Sequence, residues 1–187
     1  MQSKGQVMQV EFVFSGFGGQ GVMLAGQLLA QAVMDSGMEV TWIPSYGPEM
    51  RGGTAHCTVI VSDSVIGSPV VRQPQIALVF NNPSLEKYEP LVKTGGWLIY
   101  NSSLVAQQST RQDIHTLAVP ATEIAESAGN IKLMNVVMLG AALVINPMVP
   151  LAFIQSALRE KFSGDLLDVN ILALEQGVTF ANEHQNS

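Results

Sequence analysis

The stretch FSGFGGQGVMLAG, Phe14 to Gly26, constrains this chain more than any other, because it sets Gly16, Gly18 and Gly21 in the spacing G-x-G-x-x-G between two differently patterned segments. Before it, MQVEFVFS (Met8–Ser15) has the aromatic and β-branched content of a strand, apolar enough to be covered on both faces. After it, Val22, Ala25, Leu29, Ala32 and Val33 recur at three- and four-residue steps, one face of a helix that stops near Gly37. Strand, glycine turn and helix in that order predict the opening unit of an α/β sheet.

The rest of the chain continues the alternation. Val40 to Ile43 reads as a strand ending at Pro44, and AHCTVIVS (Ala55–Ser62) as the next, with His56, Thr58 and Ile60 on one face and Cys57, Val59 and Val61 on the other. Further strands are predicted at Ile76–Phe80, Trp97–Tyr100 and His115–Val119, with a helix from about Ser84 to Leu91. No strand pattern follows Val119. Ala121–Ala128, Asn130–Val144, Pro150–Lys161 and Leu166–Asn182 read as helices, with Pro150 suited to a first turn. The fold class is therefore α/β: a mostly parallel sheet flanked by helices, with a helical C-terminal third. At 187 residues a single domain, 1–187, is expected. The helix through NVVMLGAALV is apolar nearly all round, so it is sandwiched inside the domain or covered by another chain.

Composition narrows the function classes. Hydrophobic residues make up 47% of the chain and charged residues 13%, against roughly 25% charged in a soluble domain, so part of the surface is expected to be covered by something else. A net charge of −6 with nine Lys and Arg spread thinly argues against nucleic acid. The single cysteine, Cys57, excludes an internal disulfide and an iron–sulfur or Cys-rich zinc site held by this chain alone; it reads as a small buried residue and points to a reducing, cytoplasmic setting. MQSKGQVMQV lacks the pattern of a signal peptide, and the longest apolar run, Val136 to Ile145, falls short of a bilayer span, so no membrane association is expected. His115 opens a strand and His184 sits in a tail read as frayed; neither has partners at metal-ligand spacing, and no metal is expected.

A glycine turn that opens a helix presents unpaired backbone N–H groups and the positive end of the helix dipole, which suit a phosphate or carboxylate. A dinucleotide site of the usual kind also needs Asp or Glu at the end of the second strand, and here that strand ends in Ile43-Pro44-Ser45, with Glu39 at the wrong end. Close helix–strand packing, an anionic ligand other than NAD, and a dinucleotide all remain open for Gly16, Gly18, Gly19, Gln20 and Gly21. The second loop, SYGPEMRGGT (Ser45–Thr54), follows the second strand and belongs at the same carboxyl edge. It brings Glu49 and Arg51 there, and Gly52 and Gly53 let the backbone beside the planar Arg51 fork approach a ligand closely. A surface ion pair between Arg51 and Glu49 is the alternative. His56, three residues after Gly53, is read as a hydrogen-bonding strand residue rather than a proton shuttle.

GFGGQGV (Gly16–Val22), PSYGPEMRGGTA (Pro44–Ala55), VSDSVIGSPV (Val61–Val70), NNPSLEKY (Asn81–Tyr88) and NSSLV (Asn101–Val105) together resemble the gamma subunits of 2-oxoacid:ferredoxin oxidoreductases, most closely those acting on 2-oxoglutarate. The likeness continues through GNIKLMNVVMLGAAL (Gly129–Leu143) and LDVNILALEQG (Leu167–Gly177). It implies a Rossmann-like sheet in a subunit without a complete active site: no catalytic residue and no cofactor in this chain alone. Thiamine diphosphate with Mg lies between alpha and beta subunits, and iron–sulfur clusters lie in other polypeptides, including a possible ferredoxin-like delta subunit. The implied reaction is oxidative decarboxylation of a 2-oxoacid with coenzyme A to an acyl-CoA, CO2 and reduced ferredoxin, the cofactor carrying the hard chemistry. On this resemblance Gly16, Gly18, Gly19, Gln20, Gly21, Glu49, Arg51, Gly52 and Gly53 line the cavity for substrate and coenzyme A. Two departures stand out: Pro74-Gln75 where the family pattern suggests Pro-Asp, and His56 where it suggests asparagine. A subunit of an indolepyruvate or branched-chain enzyme, and a free-standing nucleotide-binding regulator, are the alternatives.

Overall fold

The computed structural model describes residues 8–45 and 54–185. Six strands form one sheet in the order β2-β3-β1-β4-β5-β6: β1 Gln9–Phe17, β2 Glu39–Ser45, β3 Thr54–Ser62, β4 Ile76–Val79, β5 Trp97–Asn101 and β6 His115–Val119. β1, β4, β5 and β6 run parallel, and β3 runs antiparallel to both neighbours. The connection 46–53 explains the reversal, since a parallel crossover takes about a dozen residues or more and a hairpin does not. β2 continues through Pro44 to Ser45, and it can do so because it is an edge strand, where proline's missing N–H faces away from the ladder.

Alternation along the strands divides the core. Phe12 and Phe14 face one side with Cys57, Val59, Leu78 and Ile99, while Val13, Ala77, Val79 and Leu98 face the other. The first side is packed by α1 (Val22–Asp35), α3 (Ala121–Ser127), α4 (Met134–Ile145), α5 (Leu151–Lys161) and α6 (Gly164–His184). The second carries the short α2 (Asn82–Tyr88), its 3-10 continuation Glu89–Leu91, and loop residues Val105 and Ile114. So chain leaving β1 turns to one face and chain leaving the adjacent β4 turns to the other. This makes the carboxyl ends of β1 and β4 a topological switch point, where open α/β sheets leave a crevice.

α4 is the sandwiched helix: Met134 to Leu143 are all buried. It lies close enough to α6 that a Cβ on Gly140 would overlap the Leu174 carbonyl oxygen, and one on Gly177 the Val137 carbonyl oxygen. Three boundaries differ from the sequence reading. Residues 131–133 form a 3-10 turn before α4, Pro150 stands in extended conformation as the N-cap of α5, and α6 runs on to His184. His184 is thus held in a helix rather than in a frayed tail, with its ring stacked on Phe180 at 4.1 Å between centroids.

Candidate functional site

The glycine turn closes β1 and opens α1 at the switch point, and its glycines answer to different constraints. Gly16 is buried; a Cβ there would meet Gln20 Oε1 at 2.6 Å and Phe80 Cβ at 2.9 Å, so this residue is fixed by strand–turn packing. Gly21 is the N-cap of α1 in left-handed conformation, φ 75°, and a Cβ there would meet Asn135 Nδ2 at 2.6 Å. Gly19 has φ 92° and open space around it. Gly18 is exposed and its φ is not positive, and a Cβ there would meet nothing within 4 Å. Nothing within its own chain requires Gly18 to lack a side chain.

Gln20 ties the turn to the neighbouring strand. Its Oε1 accepts from the Phe17 backbone N–H (2.6 Å) and from Asn81 Nδ2 (3.1 Å), while its Nε2 donates to the Phe80 carbonyl (3.3 Å). Asn81 Oδ1 in turn accepts from the Ser84 backbone N–H (2.9 Å), and Ser15 Oγ donates to Ser84 Oγ (2.9 Å) beneath the turn. From the far side, Asn135 Nδ2 donates to the Gly21 carbonyl (3.0 Å). At the end of β5, fully buried Asn101 bonds Thr122 Oγ1 through Nδ2 at 2.9 Å. Asn81, Asn101 and Asn135 were not singled out from the sequence, although each lies in a motif that carries the family resemblance. Asn81 had a readable signal, an N-cap asparagine ahead of Pro83 and Ser84.

The first turn of α1 contains no acidic side chain, and no side chain caps its N-terminus. Together with exposed Gly18 and Gly19 this makes an electropositive backbone corner open to solvent, suited to an anionic group. Ser15, Gln20, Asn81 and Asn135 hold its shape and offer no general base. The corner can bind and orient; covalent chemistry requires groups from elsewhere.

Of the second loop, Glu49, Arg51, Gly52 and Gly53 lie outside the described residues. The register places its two ends at the glycine turn: Ser45 and Ser15 both pair with His56, and Phe17 pairs with Thr54. His56 is half-buried with its ring 5.8 Å from that of Tyr88. Its Nδ1 finds no hydrogen-bond partner, which departs from the hydrogen-bonding role read from the sequence. Burial and the nearby Lys87 ammonium both lower its pKa from the ordinary histidine value. Cys57 is fully buried, and burial pushes its thiol up to about 11, which makes it inert. A cleft of about 470 Å³ lies away from this corner, between α1 and α5 over Trp42.

Comparison with known proteins agrees with this architecture. Residues 11–180 match the family model described as pyruvate ferredoxin/flavodoxin oxidoreductase. The ketoisovalerate oxidoreductase subunit VorA of Methanothermobacter marburgensis is 38% identical over 94% of this chain, and the chain spans only 37% of that protein's length. The 2-oxoglutarate synthase subunit KorC of Methanocaldococcus jannaschii is 32% identical, covering 94% of this chain and 96% of its own. Among solved structures, the gamma subunit of a keto/oxoacid ferredoxin oxidoreductase from Geobacter sulfurreducens superposes with a TM-score of 0.82 at 30% identity, covering 93% of this chain and 99% of that one. This chain belongs to the pyruvate ferredoxin/flavodoxin oxidoreductase family. In length and fold it corresponds to the gamma subunits.

Proposed function

We propose that this chain is the gamma subunit of a 2-oxoacid:ferredoxin oxidoreductase and forms one wall of an active site completed by other subunits. The observation that carries this reading is the open glycine corner: a built, anion-friendly turn at the switch point, with Gly18 bare for no reason internal to the chain, in a fold matched end to end by a gamma subunit. The overall reaction is conversion of 2-oxoglutarate and coenzyme A to succinyl-CoA and CO2, with two electrons passing to ferredoxin. Thiamine diphosphate, when bound in the complex, supplies the carbanion chemistry. The donors of this chain do not suit the metal groups: it has one cysteine, and among the described residues no three His, Cys, Asp or Glu side chains converge. Those groups are assigned to the alpha, beta and any delta subunits, with ferredoxin as acceptor.

The chain's own part is to bind and orient. The N–H groups around Gly18–Gly21 and the Arg51 guanidinium face the diphosphate of coenzyme A or the oxoacid carboxylates, and the wall excludes water from the intermediate. Arg51→Ala in the assembled complex raises the KM for coenzyme A or oxoacid without dispersing subunits; unchanged kinetics remove Arg51 from the site.

One observation favours a second substrate: the VorA relative is more similar (38%) than the KorC relative (32%), although KorC matches in length and VorA does not. Anoxic affinity purification of the tagged chain, mass spectrometry of co-eluting polypeptides and coenzyme A-dependent dye reduction decide between them. Turnover of 2-oxoglutarate supports the first reading and turnover of 3-methyl-2-oxobutanoate the second. A chain that elutes alone and binds NAD or an adenine nucleotide overturns both in favour of a nucleotide-binding regulator.

A further inference from the structure

The two faces of the sheet are finished to different degrees. Five helices pack the α1 side, whereas α2 on the other side is seven residues long and packs on β1 and β4. Val13, Thr58 and Ile43 are register partners across β1, β3 and β2, so Thr58 and Ile43 point to the same side as Val13, the α2 side. Ile43 there is 41% exposed, and Thr41 and Thr58 beside it are only half-buried. Apolar side chains are also exposed on the segments that wrap this side: Val70 (67%), Leu91 and Leu104 each adjoin a residue packed into the α2-side core, Val71, Val92 and Val105 respectively. α/β sheets are ordinarily covered on both faces, and this half-sheet carries neither a helix nor a charged solvated surface.

The lengths of the relatives say what covers it. The same unit occurs as a chain of its own in KorC and as 37% of a longer chain in VorA, so in VorA the remaining polypeptide is tethered to it. A separate chain has to hold the corresponding polypeptide through surface contacts alone. From this we infer that the α2 side, centred on Ile43, Thr58, Val70 and Leu104, docks the subunit whose sequence continues the chain in the longer relatives. The β2–β3 end of this face adjoins the glycine corner through the pairing of Ser45 and Ser15 with His56. A polypeptide seated there also closes the corner over Gly18. The inference rests on the gamma-subunit reading.

The test is co-purification of the tagged full-length chain with its partner subunits, using Ile43→Asp and Val70→Asp on this face and Met34→Asp and Leu172→Asp on the helical side as controls. All four positions are exposed, and thermal unfolding of each isolated variant confirms that it folds. The docking predicts at least tenfold weaker partner binding for the first pair and unchanged binding for the second. It also predicts that hydrogen exchange in β2, β3 and 63–75 slows on assembly. Controls that lose the partner while Ile43→Asp and Val70→Asp retain it, or two pairs that behave alike, overturn the docking and leave the gamma-subunit reading standing. A wild-type chain that captures no such subunit overturns the functional reading, and the docking falls with it. Sedimentation of the isolated chain as a dimer that Val70→Asp dissociates assigns the face to a second copy and overturns the proposal.

Discussion

Replacing Gly21 by alanine separates two costs that the structure puts at one position. The first is conformational: the N-cap of α1 has φ 75° and ψ 17°, and a side chain in the left-handed region costs about 1–2 kcal/mol. The second is steric. The new Cβ would lie 2.6 Å from Asn135 Nδ2, 2.7 Å from its Cγ and 3.1 Å from its Cβ, and Asn135 is 2% exposed, so it cannot swing away. Overpacking of this kind costs roughly 1–3 kcal/mol. The total of about 2–4 kcal/mol corresponds to a fall in Tm of roughly 5–15 °C for a domain of this size. The assay is thermal and urea unfolding of wild type, Gly21→Ala, Asn135→Ala and the double variant. The cycle should return a favourable coupling of about 1–2 kcal/mol, because removing the Asn135 side chain relieves the clash and leaves the φ penalty. A Gly21→Ala variant within about 0.5 kcal/mol of wild type, or a cycle without coupling, would refute both the left-handed cap and the packing of Asn135 on it.

Other outcomes follow from the same reasoning. Gly18→Ala should leave stability of the isolated chain within about 0.5 kcal/mol, since its Cβ meets nothing, while lowering coenzyme A-dependent turnover of the assembled enzyme; a stability loss as large as that of Gly21→Ala would show a packing role. Gly177→Ala should cost about 3 kcal/mol in urea unfolding, because its Cβ overlaps a backbone carbonyl of α4 and the helices must separate. The Cys57 thiol is raised to about 11 by burial, so the neutral thiol stabilises the folded chain fully below its unfolded value near pH 9; that contribution is lost as pH rises through 11, a loss of roughly 3 kcal/mol. Unfolding midpoints of wild type and Cys57→Ala measured from pH 8 to 11 check this, the variant lacking the slope that begins near pH 9. His56 should titrate by NMR with a midpoint below 6.5. Because its folded pKa is depressed, the stabilisation is present above 6.5 and is lost as pH falls through the native midpoint.

Much of the architecture is legible from local pattern. The dense apolar strand before the glycines, the three-and-four spacing after them and the all-apolar run of α4 each report burial directly, because a strand or helix must place its apolar face inside. The site was legible in part. That the glycines join a strand to a helix could be read; which of them serve packing could not, because the atoms that restrain them, on Phe80 and Asn135, lie far along the chain. The amide ring of Gln20, Asn81 and Asn135 is likewise silent in sequence, since asparagine and glutamine carry no periodic signal and act only through partners brought together by folding. His56 shows the limit from the other side: its strand face was read correctly, but its solvation and the Lys87 charge beside it depend on α2 packing back across the sheet.

By itself, then, the amino-acid sequence determined the order and kind of the elements, the poverty of charge and, through its spaced motifs, the family. Tertiary structure alone decided that β3 reverses, that the carboxyl ends of β1 and β4 part to opposite faces, and that one half of the sheet stays uncovered on the α2 side. The reason is range. Periodicity records whether a residue is buried by anything at all, whereas strand order, helix side and the partner of a given glycine depend on which distant surfaces meet, and only the folded chain brings those together.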